Sequence, residues 1–170
     1  MKREKIKLYL LPLVLIFAIV SLDIATKLLI VARLGKSFGD RIDYLDGFLR
    51  IALVYNDGFV FGLGQGYKTI ALVISVLVLI LMIVYYLFEK NKTPLFSTSL
   101  ALIASGAIGN ILDRLIPGRP GVVDFVSVGV DGVYRWPSFN VADSSIVIGA
   151  LLLVIVFYRE ERRRKRQAQD

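Results

Sequence analysis

A bundle of four membrane-spanning helices with a small β-sheet is the fold class that this sequence predicts. Three observations predict it. The chain is 56% hydrophobic, with a mean hydropathy of +0.66. It contains four apolar stretches of about the length that crosses a bilayer core, and a segment between two of them alternates apolar and polar residues as a strand does. We therefore expect an all-α integral membrane protein with a sheet outside the membrane, forming one domain over residues 1–170.

The four apolar stretches are predicted to be spanning helices at residues 8–32, 69–88, 95–116 and 141–158. Roughly 20 helical residues cross the hydrocarbon core, and each stretch is close to that length. The first stretch follows a basic cluster, but its apolar run is longer than that of a cleaved signal peptide, so we expect it to be retained.

Basic residues predict that both termini are cytoplasmic, because Lys and Arg stay preferentially on that side of short loops. With the termini and the 89–94 loop inside, the surplus of basic over acidic residues there equals the whole net charge of +7. The loops at about 33–68 and 117–140 are then external. We interpret the basic tail, 159–170, as topogenic charge attracted to anionic lipid, and expect no nucleic-acid partner because no aromatic residues are interleaved in it.

Both external loops carry strand signals. Apolar residues alternate from Leu49 to Tyr55, and Asn56-Asp57-Gly58 then precedes a second apolar run at residues 59–61. This pattern predicts a small antiparallel sheet between spans 1 and 2, with a turn at Asn-Asp-Gly. In the second loop, Asp131-Gly132 between alternating runs indicates a hairpin turn, although residues 125–136 are also compatible with a short interfacial helix.

The chain contains no cysteine and no histidine. It therefore cannot build a disulfide framework, a thiol nucleophile, a Ser-His-Asp triad or a histidine-based zinc site. Any catalysis must rest on Asp, Glu, Lys, Ser, Tyr or the backbone, and we expect no metal or organic cofactor.

Polar residues inside the predicted spans are candidates for function, because each is costly at membrane depth and tends to face a partner or a wet cavity. Asp23 and Lys27 are four residues apart on one helix face, which favours either a structural ion pair or a functional site. Asn110 and Arg114 share a face of the third span, with Asp113 beside them. We expect these side chains to form a polar interior.

Two aspartates near the fourth span differ from Asp131, whose presence the turn explains. Asp143 follows Asn140 by three residues, so Asn140 is predicted to cap the fourth helix and Asp143 to lie in its first turn. Asp124 is a lone carboxylate in the apolar run Val122–Phe125 and needs a partner. Asp143 is brought near it where the chain returns to the membrane.

Five short motifs occur in order along the chain, and together they resemble the prolipoprotein signal peptidases, or signal peptidase II. This family consists of bacterial intramembrane aspartyl proteases with four spans and both termini cytoplasmic. The motifs are "DIATK" from Asp23, "YNDGFVFG" from Tyr55, "GNILDR" from Gly109, "VVDF" from Val122 and "FNVAD" from Phe139.

The resemblance implies that Asp124 and Asp143 are the catalytic pair. It places five further residues around the active site and gives Asp23 and Lys27 a supporting role; the five are Asn56, Gly58, Asn110, Arg114 and Asn140. The chain departs from the family where Phe59 and Val60 replace residues that are commonly small, so the shape of the substrate groove is open.

The resemblance also implies the reaction, the partners and the location. The enzyme would cleave diacylglyceryl-modified prolipoproteins just before the lipidated cysteine. It would act as a monomer among the lipids of the bacterial cytoplasmic (inner) membrane, with its active site near the outer face. A small transporter or a membrane-assembly subunit is the alternative, but a transporter would more naturally show an internal repeat, and an assembly subunit leaves Asp124 without a reason.

Overall fold

The computed structural model describes residues 2–35, 40–58 and 66–169, with side chains from residue 9 onward. Four helices form the bundle: α1 at Lys2–Leu34, α2 at Lys68–Phe88, α3 at Pro94–Leu115 and α4 at Val141–Gln167. Each contains a segment long and apolar enough to cross a membrane. The four predicted spans are therefore confirmed as membrane-span-capable helices.

The fourth helix continues beyond the predicted span into the basic tail. Glu, Lys, Arg and Gln are good helix formers, and Lys165 Nζ lies 2.6 Å from Glu161 Oε1 one turn earlier. Basic side chains in the last turn also suit the negative end of the helix dipole. The helix therefore continues to Gln167.

Helix α3 is the centre of the bundle. In its most apolar segment 56% of the residues are buried, against 6% in that of α2. Two glycines let α3 and α4 approach closely. A Cβ on Gly106 would lie 2.6 Å from Ile146 Cγ1, and one on Gly149 would lie 2.7 Å from the carbonyl oxygen of Ser99. Close packing at small residues is the usual means of helix association in a bilayer, where lipid is as apolar as the side chains.

Four antiparallel strands form one sheet in the order β1-β2-β3-β4. They are β1 at Arg41–Tyr44, β2 at Leu49–Asn56, β3 at Val122–Val130 and β4 at Tyr134–Arg135. The sheet was predicted between spans 1 and 2, and this is correct for only half of it, because β3 and β4 come from the loop between α3 and α4. The long pairing of β2 with β3 joins the two loops and was not visible in either local pattern.

The two predicted turns have different outcomes. Asp131-Gly132 forms the hairpin between β3 and β4, with Gly132 at φ +80°, so the hairpin is confirmed and the interfacial helix is wrong. The second apolar run, expected after Asn-Asp-Gly at residues 59–61, lies outside the described residues. It includes Phe59 and Val60, the two positions that depart from the family pattern. The partners that the structure gives β2 are β1 and β3.

Candidate active site

Asp124 is the third residue of β3, opposite Val54 of β2. Its side chain is buried, with 2% of the residue exposed. One carboxylate oxygen accepts a hydrogen bond of 3.0 Å from Asn56 Nδ2, and the other accepts one of 2.7 Å from Asn140 Nδ2. The lone acid of the apolar strand therefore has amide donors on both oxygens.

Asp143 lies in the first turn of α4, where the sequence predicted it. Asn140 caps the helix through its Oδ1, which accepts from the Asp143 backbone N–H at 2.8 Å. The Asp143 carboxylate returns the contact by accepting from the Asn140 backbone N–H at 3.2 Å, which completes a capping box. Its other oxygen accepts from Asn110 Nδ2 at 2.8 Å. The N-terminus of a helix favours an anion at this position.

Asn140 joins the two aspartates. Its side-chain nitrogen donates to Asp124 while its backbone nitrogen donates to Asp143. The residue is 1% exposed, so both contacts are shielded from water. Asp124 and Asp143 are therefore brought together, as expected, and the capping residue Asn140 contacts both of them.

Beneath this pair lies a buried ionic cluster around Lys27. Its Nζ is 2.7 Å from Asp23 Oδ2, 3.1 Å from Asp113 Oδ2 and 3.1 Å from Asn110 Oδ1. Arg119 also pairs with Asp113. A buried charge is tolerated only with such partners. The ion pair expected between Asp23 and Lys27 is present, and it extends to α3.

The cluster holds the backbone just before each aspartate. Asp23 Oδ1 accepts from the N–H of Ala142, the residue preceding Asp143, at 2.9 Å. Asp113 Oδ2 accepts from the N–H of Val123, the residue preceding Asp124, at 3.1 Å. Lys27 binds both carboxylates, so one cation ties the start of α4 to strand β3.

Arg114 and Gly58 close one side of the site. Arg114 Nη2 donates to the Gly58 carbonyl at 2.7 Å, and Nη1 donates to the Asn110 carbonyl at 3.1 Å. Gly58 N–H in turn donates to Asn56 Oδ1 at 3.0 Å. Among the described residues, Arg114 Nε has no hydrogen-bond partner. Through Nη1 and Nη2, the guanidinium therefore holds the backbone at Gly58 against the backbone of α3.

Burial and the neighbouring charge of Asp143 raise the pKa of Asp124 to about 7, against the opposing effect of the hydrogen bonds from Asn56 and Asn140. A carboxyl group with this pKa keeps its proton over much of the neutral range. Two neighbouring carboxylates in which one holds a proton form an arrangement suited to acid-base chemistry.

Comparison with known proteins shows the family of the chain. A family model described as signal peptidase (SPase) II matches residues 15–159. The chain belongs to the signal peptidase II family. A lipoprotein signal peptidase of Bacillus pumilus is 41% identical over 81% of this chain and 86% of the relative. One from Staphylococcus haemolyticus is 34% identical over 82% and 85%.

A solved structure described as a bacterial membrane enzyme is similar in fold to this chain. The two align with a TM-score of 0.78 and 27% identity, covering 90% of each chain. The resemblance seen in the five sequence motifs is therefore confirmed. Membership of this family supports the assignment of the chain as a peptidase of a bacterial membrane.

Asp131 is not brought to the two buried aspartates. It is 61% exposed at its side chain and pairs with Arg50 at 2.6 Å and Arg135 at 2.8 Å. Hydrogen bonds from these two guanidinium groups lower the pKa of Asp131 to about 2. The turn was predicted, but the sequence did not show that this carboxylate also ties the hairpin to β2.

The sequence did not indicate that Arg119 belongs to the ionic cluster. It indicated Asp113 as a polar residue of the interior but gave it no role. A basic residue in the short loop after the third span, six positions beyond a buried acid, was the available signal. It was weak, because charges in such loops are usually solvated.

Two apolar hollows meet at Asp143. One, of about 220 Å³, lies between α2, α3 and α4 and is also lined by Asn56, Asn110 and Arg114. The other, of about 300 Å³, lies beside β4 and α4 and is lined by Trp136 and Phe139 among others. Asp143 therefore lies between two apolar spaces, each able to receive part of an apolar molecule.

Proposed function

We propose that this protein is an intramembrane aspartyl endopeptidase that removes the signal peptide of diacylglyceryl-modified prolipoproteins. Cleavage falls just before the lipidated cysteine. The observation that carries the proposal is the placement of Asp124 and Asp143 on one asparagine, Asn140, at a water-shielded position between two apolar hollows. The names of the similar lipoprotein signal peptidases support the same substrate class.

The proposed division of labour follows from the surroundings of the two carboxyl groups. Asp143, favoured as an anion by the helix N-terminus, takes a proton from water as the water oxygen bonds to the scissile carbonyl carbon. Asp124, with its pKa raised to about 7, donates its proton to the carbonyl oxygen. Collapse of the tetrahedral species breaks the C–N bond, and the proton held by Asp143 passes to the leaving amine. One hydroxyl of the tetrahedral species returns its proton to Asp124 as the C=O bond re-forms, so both carboxyl groups regain their starting states.

The other site residues have positioning roles in this proposal. Asn56, Asn110 and Asn140 orient the two carboxylates by hydrogen bonds. Arg114, anchored by the Gly58 carbonyl, places a positive charge beside the carboxylate pair. Asp23 and Lys27 hold the backbone that carries Asp143.

The substrate fits the two hollows by its chemistry. A lipid-modified prolipoprotein has an apolar signal helix on one side of the scissile bond and acyl chains on the other. The hollows lie on two sides of Asp143, so each takes one apolar part while the peptide bond lies over the carboxylates. The basic residues that predict both termini to be cytoplasmic also predict a site near the outer face.

The purified protein is expected to cleave a prolipoprotein carrying the diacylglyceryl group and to leave the unmodified prolipoprotein of the same sequence uncleaved. The acyl chains supply binding energy that the unmodified substrate lacks. Mass spectrometry of the products identifies both the cleavage and its position. Equal cleavage of the two substrates, or cleavage after the cysteine, would show that the proposed substrate class is wrong.

The rate of cleavage is expected to fall as pH rises through about 7. Asp124 acts as the proton donor, and its protonated fraction falls above its pKa of about 7. A pH profile of kcat/KM in detergent micelles checks this, with the melting temperature followed at each pH to exclude unfolding. A rate that stays constant well into the alkaline range would contradict the role given to Asp124.

A further inference from the structure

A third hollow, of about 300 Å³, lies between α1, α2 and α3, at the end of the bundle that holds Tyr9, Tyr86 and Ser97. Its walls are almost wholly apolar, and include Leu13, Leu79 and Met82. This end lies beside the α2–α3 loop, away from the aspartates, on the side to which the basic residues assign the cytoplasm. The mechanism makes no use of this space.

The hollow has the depth of one lipid leaflet. Its lining on α3 extends from Ser97 to Ile108, over which an α-helix rises about 16 Å. Half of a bilayer's hydrocarbon core is about 15 Å. The dimensions of the hollow therefore fit a single hydrocarbon chain.

Polar groups lie at the end of the hollow beside the α2–α3 loop. Ser97 lines it, is 2% exposed, and its Oγ has no hydrogen-bond partner within the described part of the chain. Lys92 Nζ donates to the Glu89 carbonyl oxygen at 2.5 Å and lies 5.1 Å from the centroid of the Tyr86 ring, which also lines the hollow. The acid of this loop, Glu89, directs its carboxylate to the N–H of Asn91 at 2.7 Å. An ammonium group and a hydroxyl without a hydrogen-bond partner in the described part of the chain thus lie at one end of the apolar hollow.

We infer that this hollow binds one acyl chain of an anionic phospholipid from the cytoplasmic leaflet. The ammonium of Lys92 faces the headgroup phosphate, and the Ser97 hydroxyl donates to an ester carbonyl at the boundary between headgroup and hydrocarbon. The chain then follows α3 past Ala101 and Ala104. Anionic lipids accumulate at basic surfaces on this side of a membrane, and a buried hydroxyl without a partner is costly.

Lipid retention by the purified protein tests this inference without any measurement of peptidase activity. Native mass spectrometry compares phosphatidylglycerol with phosphatidylcholine of the same acyl chains. We expect phosphatidylglycerol to be retained preferentially, and Lys92→Gln to remove the preference. Lys90→Gln removes the same charge from an exposed position of the same loop and is expected to keep it.

Filling the slot tests the acyl-chain part of the inference. Ala104→Leu adds bulk to the wall and is expected to lower retention of both lipids. Ala150→Leu, the same change on an exposed position of α4, is expected to leave retention unchanged. Melting curves confirm that each variant is folded.

Three results would overturn the inference. One is equal retention of the two lipids by the wild type, and another is unchanged retention in Ala104→Leu, which would indicate lipid held on the outer surface only. The third is a dimer that dissociates in Ala104→Leu, which would assign the hollow to a second copy of the chain. None of these results bears on cleavage, so failure here is distinguishable from failure of the proposed function.

Discussion

Replacing either Asp124 or Asp143 with Asn is expected to lower cleavage of a lipid-modified prolipoprotein by about 10²–10⁴-fold or more, since each variant removes one half of an acid-base pair. Asn is close in shape to Asp, but it can neither take a proton from water nor donate one to a developing oxyanion. Both positions are buried and held by Asn140, so neither carboxylate is readily replaced by solvent.

The matched control for these variants is Asp131→Asn. Its side chain is exposed and paired with Arg50 and Arg135 in the hairpin, away from the proposed site, so most of the activity should remain. Each variant is checked for folding by its melting curve and for substrate retention by co-purification. Cleavage by both the Asp124 and Asp143 variants at near the wild-type rate would show that the assigned pair is wrong.

Replacing Lys27 with Met is expected to destabilise the protein by about 3–5 kcal/mol, the usual cost of removing one partner from a buried ion pair. The ammonium lies within 3.1 Å of both Asp23 and Asp113, and the side chain is 2% exposed. Met keeps most of the volume but leaves the two carboxylates without their shared cation. Reversible unfolding in mixed micelles measures the change in free energy.

A matched control makes the Lys27 prediction specific. Lys165→Met removes a lysine that is 72% exposed and paired with an exposed glutamate, so it is expected to cause little change. Unfolding of Lys27→Met at the same denaturant concentration as the wild type would mean that the cluster carries no net stability.

Several features of the fold were predictable because their causes are local in the chain. The spans follow from runs of apolar residues, since a helix satisfies its own backbone hydrogen bonds in lipid. The cap of α4 follows from Asn140 and Asp143 three residues apart, and the Asp131-Gly132 turn follows from the conformational freedom of glycine. The exclusion of histidine and cysteine chemistry needed only the composition.

The sequence predicted the residues of the candidate site better than the hydrogen bonds between them. A lone carboxylate in an apolar strand requires a partner, which made Asp124 a candidate before any geometry was known. That Asn140 serves both aspartates, and that Asn110 links Asp143 to Lys27, required the folded chain. An asparagine can donate and accept in several directions, so its sequence position does not select its partners.

The sequence by itself determined the four helices, the excess of basic residues at one end of the bundle and the residue types available for chemistry. These features depend on hydropathy, charge and capping, which act over a few neighbouring residues. Only the tertiary structure decided that β2 pairs with β3 and that Lys27 joins Asp23 to Asp113. These contacts connect segments far apart in the chain. Their partners are selected by the packing of α1, α3 and α4, which no local pattern contains.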